Sequence, residues 1–175
     1  QMNDTATKNP AVKAPALMST RPVTAQDALD QCEKLSPMMV HYCQTKTGLT
    51  DPANTILFYR LGDFYEMFFE DATLVSKELE LTLTGKDCGM EDRAPMCGIP
   101  YHAAEGYINR LVENGHKVAI CEQMEDPATA KGLVDRDIVR IVTPGTAIDD
   151  VMLDESRNNY ICAICQEGES YALAQ

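Results

Sequence analysis

The sequence has no tryptophan, only four phenylalanines and no apolar run of about 18 residues, the length that a membrane-spanning helix needs. It also lacks the charged segment followed by an apolar stretch that marks a secretory signal peptide. These absences lead us to expect a soluble, cytoplasmic protein that makes no contact with a membrane.

Cysteine is present, but not in a pattern that predicts disulfides or a metal site. The seven cysteines are odd in number and scattered, which suits a reducing compartment. Only Cys162 and Cys165 have the spacing of a metal or redox pair, and no second pair completes a zinc site. They lie in an apolar run, residues 160–165, which predicts a buried strand and a structural role for both thiols.

Basic residues are also scarce. The chain has 15 Lys and Arg against 27 Asp and Glu, a formal net charge of -12. Residues 37–146 alone have 10 basic against 17 acidic side chains, a net charge of -7. Proteins that hold duplex DNA by themselves neutralise phosphates with Lys and Arg. We therefore expect this chain alone to bind duplex poorly, and the phosphate contacts of any DNA complex to come mainly from elsewhere.

No pattern of catalytic residues is evident. Asp63, Glu66, Glu70 and Asp71 form an acidic cluster, but no lysine or histidine follows at the spacing that a metal-dependent nuclease would use to activate water. Glu70 and Asp71 are better explained as acids in the first turn of a helix. The glycine patterns of phosphate-binding and dinucleotide-binding loops are absent as well. We expect no enzymatic activity and no cofactor for this chain.

The most unusual stretch of the sequence is residues 57–70, which contains all four phenylalanines. Such density is typical of a core, because each aromatic ring buries a large apolar surface. An extended backbone, however, would place Phe64, Glu66 and Phe68 on one face of a strand. An unpaired carboxylate beside a phenylalanine is costly in a core, whereas a ring and an acceptor together suit a flat ligand with polar edges. The ligand that this combination suggests is a nucleobase.

Local patterns predict an α/β fold, in which a mixed sheet is flanked by helices. Capping residues predict helices that start after Thr24, with Asp27 in the capping box, and after Ser36 with Pro37 in the first turn. The first would run to Leu35. The second would run over 37–47 and end at Gly48, and further helices are predicted over 72–80, capped by Asp71, and over 104–112. Strands are predicted over 55–61, 63–69, 81–84, 117–121, 138–142, 160–165 and 171–174, with loops over 85–93 and 123–137.

Four motifs occur in order along the chain. They are Phe-Tyr-Arg-Leu-Gly-Asp-Phe-Tyr-Glu at 58–66, Pro-Met-Cys-Gly-Ile-Pro-Tyr-His-Ala at 95–103, Val-Ala-Ile-Cys-Glu-Gln at 118–123 and Arg-Ile-Val-Thr-Pro-Gly-Thr at 140–146. Together they resemble the amino-terminal part of the MutS family of DNA mismatch-repair proteins. The resemblance implies three parts: a flexible tail with a possible short helix (1–35), a mismatch-recognition domain (36–143), and the first strands of a ribonuclease-H-like connector domain (144–175).

The resemblance also implies a mechanism. Phe64 would enter mismatched double-stranded DNA from the minor groove and stack on a mispaired base, while Glu66 accepts a hydrogen bond from that base. The supporting positions in the family correspond to Leu61, Thr84, Lys86 and Met96. The Lys86 position is commonly arginine in the family, so a bidentate or minor-groove contact is not expected here and only a phosphate contact remains, which the neighbouring Asp87 weakens. Met96 is equally well explained by core packing, Tyr65 is expected in the core, and Arg60 is expected in an ion pair.

In the family, the whole protein acts as a dimer with a second MutS subunit, binds ATP and Mg through a distant carboxy-terminal domain, and signals to MutL. None of these sites would lie in this chain. Two alternatives stay open. The stretch from Phe64 to Phe69 could be an exposed edge strand of a protein-interaction module. The chain could also come from a paralogue that no longer reads mismatches, which the intact Phe64 and Glu66 disfavour.

Overall fold

A computed structural model describes residues 24–125, 132, 134–145, 162–168 and 170–174. The predicted flexible tail, apart from its last residues, and much of the predicted connector segment lie outside these ranges. No helix among the described residues is long and apolar enough to cross a membrane.

The first two helices begin where the capping residues predict. Helix α1 is Ala25–Gln31, and the Thr24 hydroxyl accepts a hydrogen bond from the Asp27 amide at 3.0 Å while the Asp27 carboxylate accepts one from the Thr24 amide. Helix α2 is Pro37–Thr47, with Ser36 as its cap and Gly48 after it, as predicted. Helix α1 ends at Gln31 rather than Leu35, because the chain turns to extended backbone at Cys32.

A six-stranded mixed sheet forms the centre of the fold. The strand order is β3-β4-β2-β1-β5-β6, and only the β1–β5 pair is parallel. This confirms the predicted α/β class. The strands are β1 Thr55–Leu61, β2 Phe64–Phe68, β3 Thr84–Lys86, β4 Ala94–Pro100, β5 Lys117–Gln123 and β6 Arg136–Val142; the other helices are α3 Phe69–Glu78, a 3₁₀ turn at Tyr101–Ala103, and α4 Ala104–Glu113.

Three local predictions are wrong. Strand β4 was not predicted, because Pro95, Gly98 and Pro100 signal breaks; both prolines lie near the ends of the strand, where a missing amide donor costs least. The strand predicted over 81–84 lies at Thr84–Lys86 instead. Helix α3 begins at Phe69, so Asp71 lies inside its first turn and does not cap it.

Alternate residues of each strand point into two separate cores. On one face Ile56 and Phe58 pack beneath α3 and α4, and we call this the first core. On the other face Leu57 and Tyr59 pack beneath α1 and α2, and we call this the second core. Both faces of the central strand β1 are therefore covered, which accounts for its run of apolar residues.

A buried ion pair lies in the second core. The Lys46 ammonium on α2 is 2.7 Å from the Asp71 carboxylate on α3 and donates a second bond to the Thr55 carbonyl at 2.7 Å. Asp71 also accepts the Leu57 amide at 2.8 Å. Burial raises the pKa of Asp71 to about 6, although Lys46 opposes this shift, so the carboxylate is ionised at neutral pH. The pair thus joins α2, β1 and α3.

We expect Lys46→Met to lower the free energy of unfolding by about 3–5 kcal/mol, because it leaves Asp71 buried without its cation. Urea unfolding of the 175-residue chain measures this. Lys77→Met on the exposed side of α3 is the matched control and should change the value by less than about 0.5 kcal/mol. Equal urea midpoints for Lys46→Met and Lys77→Met would show that the ion pair contributes nothing to stability.

Strands β7 Ala163–Glu167 and β8 Ser170–Ala174 form a separate antiparallel pair. Their existence was predicted, but the predicted burial is wrong within the described residues. Ile164 is 74% exposed, and Cys162 and Cys165 are exposed as well. A two-stranded pair has no second layer of its own against which to bury a face.

The thiols should differ sharply in reactivity. Burial raises the pKa of Cys43, Cys97 and Cys121 to about 12, so at pH 8 about one molecule in ten thousand has a thiolate at each position. We expect a maleimide to label Cys162 and Cys165 first under native conditions, as read by mass spectrometry of the peptides. All seven thiols should react in urea. Native labelling of Cys97 as fast as Cys165 would contradict the packing described above.

Candidate nucleic-acid interface

The six residues predicted as DNA contacts lie on one face of the sheet. Leu61 pairs with Phe64 across the β1–β2 hairpin, Glu66 lies two residues further along β2, and Phe68 pairs with Met96, which pairs with Thr84. Residues that pair across strands share a face. This is the face of the second core, beyond the part that α1 and α2 cover. We call these six residues the site strip: Leu61, Phe64, Glu66, Thr84, Lys86 and Met96.

Phe64 differs from the other phenylalanines in exposure. Its side chain is 45% exposed, whereas Phe58, Phe68 and Phe69 are completely buried. The two interpretations of the aromatic stretch thus apply to different residues: three rings build the cores and one projects from the sheet. An exposed ring at the first residue of β2 is free to contact a ligand.

The turn that carries Phe64 is held from several sides. Gly62 has a φ of 59°, a left-handed conformation that glycine adopts without strain. Its amide donates to the Gln123 side-chain oxygen at 2.9 Å, and the Tyr101 amide donates to the Asp63 carbonyl at 2.9 Å. Arg60 donates to the Gly62 carbonyl from within the hairpin. These bonds hold the backbone of the turn from which the Phe64 ring projects.

Arg60 and Tyr65 lie on the opposite face of the hairpin and match their predicted roles. The Arg60 guanidinium is 3.4 Å from the Glu122 carboxylate and stacks 3.7 Å from the centre of the Tyr101 ring. Tyr65 is buried in the first core and donates its hydroxyl proton to Glu122. Burial, together with this carboxylate, raises the pKa of Tyr65 to about 12, so the phenol stays protonated.

Glu66 is paired with Lys86, a contact that the sequence did not indicate. The Lys86 ammonium is 2.9 Å from the Glu66 carboxylate, and the two side chains are 33% and 17% exposed. The partners are 20 positions apart and lie on strands that are not adjacent. Their meeting depends on the pairing of β4 between β2 and β3, and β4 is the strand that sequence patterns missed.

Thr84 and Met96 lie next to each other in the site strip, on β3 and β4. The Thr84 hydroxyl donates to the Met96 carbonyl at 3.2 Å, and Met96 is half-buried against the second core. Met96 therefore fits the core-packing interpretation and is also part of the site strip. Gly98 lies between Phe64 and Glu66, and a Cβ there would be 3.7 Å from atoms of both. Sequence analysis missed Gly98, whose lack of a side chain leaves the ring and the carboxylate accessible.

The structure does not support the exposed-edge alternative. Strand β2 pairs with β1 on one side and β4 on the other, and Phe69 belongs to α3, so the stretch from Phe64 to Phe69 presents no free edge.

The side chains of the acidic cluster do not form a common site. Asp71 is buried in the ion pair with Lys46, and the Glu70 carboxylate accepts a hydrogen bond from the Ala25 amide at 2.8 Å. Among the described residues, no group of three or more His, Cys, Asp and Glu could hold a metal ion.

Comparison with known proteins places residues 36–151 on the family model described as MutS domain I. Three similar relatives carry the name DNA mismatch repair protein MutS. The relative from Ruminiclostridium cellulolyticum is 61% identical over 80% of this chain and 16% of its own length. Those from Lachnoclostridium phytofermentans and Clostridium tetani are 66% and 62% identical, over 75% and 80% of this chain. The chain spans 14–16% of the length of these relatives.

Proposed function

Because the chain belongs to the MutS family, we propose that its site strip binds mismatched double-stranded DNA as part of a longer mismatch-repair protein. The observation that carries this proposal is Phe64, an exposed ring on a braced turn with the Glu66 carboxylate two residues further on the same face. A ring to stack and an acceptor to bond are what recognition of an unstacked base requires.

Phe64 would act as a wedge. A mismatched pair stacks and pairs poorly, so the duplex opens there at a lower cost than at a matched step, where unstacking costs about a few kcal/mol. The ring would enter from the minor groove, stack on one mispaired base and hold the kink. Discrimination then depends on how easily the DNA deforms rather than on a code of base edges, so one site can accept many mismatches.

Glu66 would complete the contact by accepting a hydrogen bond from the base on which Phe64 stacks. When that base offers only an acceptor, the carboxyl group must carry a proton and donate instead. Leu61, Thr84, Lys86 and Met96 would border the DNA around these two residues. Because Lys86 is paired with Glu66 and the other four residues are uncharged, the strip brings no net charge to the duplex.

The acidic composition supports a division of labour in the longer protein. With a net charge of -12, this chain is a poor binder of phosphates by itself. We propose that segments absent from this chain grip the DNA backbone, that a second MutS subunit and MutL are partners, and that ATP and Mg bind to a distant domain. Residues 144–175 would begin the connector domain. We expect no catalysis by the segment described here.

The wedge is tested by Phe64→Ala in the natural full-length protein. We expect it to weaken binding to a duplex with one G·T mismatch by at least about fivefold, because stacking of a base on an aromatic ring contributes about 1–3 kcal/mol. Affinity for fully paired duplex should be unchanged. Fluorescence anisotropy at fixed salt measures both, with Tyr171→Ala, another exposed ring, as the control. A variant that discriminates as well as the wild type would refute the wedge.

The base contact of Glu66 is tested by Glu66→Gln across a panel of mismatches. Because the amide can donate and accept but carries no charge, the order of affinities should change, by at least about threefold for some pairs. Asp63→Asn, which removes a charge from the exposed turn nearby, should leave the order unchanged. An unchanged order of affinities would indicate that Glu66 touches no base, as expected for a protein-interaction module.

A further inference from the structure

We propose that Lys86 is a positioning residue for Glu66. Its ammonium holds the Glu66 carboxylate in one orientation toward the mispaired base, so that Lys86 contributes to recognition through Glu66 rather than through a phosphate. The inference rests on the proposed function, since it presupposes a base for Glu66 to face.

The first observation is the contact itself. The Lys86 ammonium is 2.9 Å from Oε2 of Glu66, with the two side chains only 33% and 17% exposed. A partly buried pair is screened by salt less than a pair in open solvent, so it persists at physiological ionic strength. A lysine whose charge is already paired with a carboxylate adds little net positive charge toward a phosphate.

The second observation is the path that the lysine takes. Lys86 pairs with Ala94 at one end of the β3–β4 ladder, whereas Glu66 pairs with Gly98 of β4 beyond the row formed by Thr84, Met96 and Phe68. The side chain therefore reaches diagonally over that row. Its ammonium passes 5.8 Å from the centre of the buried Phe68 ring, whose negative face attracts a cation. Two groups on one rigid strand thus hold the ammonium in place.

The consequence concerns the other carboxylate oxygen. Because Oε2 accepts from Lys86, Oε1 keeps both of its lone pairs for a base beside Phe64. A carboxylate held before the DNA arrives loses less conformational freedom on binding than a freely rotating one. The pair also screens the negative carboxylate from the phosphates on either side of the groove, which would otherwise repel it.

A lysine that contacts a phosphate behaves differently on mutation. Its loss weakens binding to every duplex by the same factor and lowers the slope of log affinity against log salt by about 0.9. The ratio of affinities for mismatched and paired DNA then stays constant. A lysine that acts through Glu66 changes this ratio, and does so only while Glu66 is present.

The experiment is a double-mutant cycle on that ratio, in the natural full-length protein. The variants are Lys86→Met, Glu66→Gln, the double variant and the conservative Lys86→Arg, and the probes are fluorescein-labelled duplexes, fully paired or with one G·T mismatch. In the wild-type background, we expect Lys86→Met to lower the ratio by at least about threefold. In the Glu66→Gln background, it should lower the ratio by less than about 1.5-fold. Lys86→Arg should retain the wild-type ratio, and Lys77→Met is the matched control.

Two results would overturn the inference. The first is an unchanged ratio on Lys86→Met with a lower salt slope, which would make Lys86 a phosphate contact. The second is an equal drop of the ratio in both backgrounds, which would mean that Lys86 acts without Glu66. Failure of the proposed function looks different: the wild type would show no mismatch preference, or Phe64→Ala would retain it. Circular dichroism of each variant separates these outcomes from misfolding.

Discussion

The buried ion pair of Lys46 and Asp71 is the constraint on which the rest of the structure depends. It satisfies the Thr55 carbonyl and the Leu57 amide on β1, and it fixes the first turn of α3 against α2. Because α3 follows β2 without a loop, the position of Asp71 also determines where β2 ends. Burying two charges is costly, so we expect the pair to act by favouring one arrangement of these elements rather than by adding much net stability. The register of Phe64 and Glu66 is that of the ladders that β2 forms with β1 and β4.

Strand β2 thus supplies both core residues and two residues of the site strip, Phe64 and Glu66. Tyr65 and Met67 are buried in the first core, and Phe68 is buried in the second. Phe64 and Glu66 lie on the face of the second core, where none of the helices that the structure describes covers them. The residues of the site strip are held rigidly because they belong to paired strands and not to loops. The charges are balanced within the strip, which suits the DNA contact that we propose for a chain of acidic composition.

Sequence patterns were reliable where the responsible contact is local. The Thr24 and Ser36 caps, the start of α2 and the apolar face of α4 each depend on residues three or four positions apart, and each is confirmed. Strand β4 was missed because Pro95 and Pro100 signal a break locally, whereas the strand is stabilised by ladders with β2 and β3 that lie far away in sequence. The predicted cap at Asp71 was wrong for the same reason, since its partner is Lys46 on another helix.

The sequence by itself therefore determined the family, the mixed α/β class and the shared face of Phe64 and Glu66, because alternation along a strand has a fixed period of two. Only the tertiary structure decided which of four phenylalanines is exposed, since exposure depends on how far the helices extend over the sheet. It also decided that Glu66 meets Lys86 across an intervening strand. No local pattern encodes such a contact, because it arises only when three separate strands are in register.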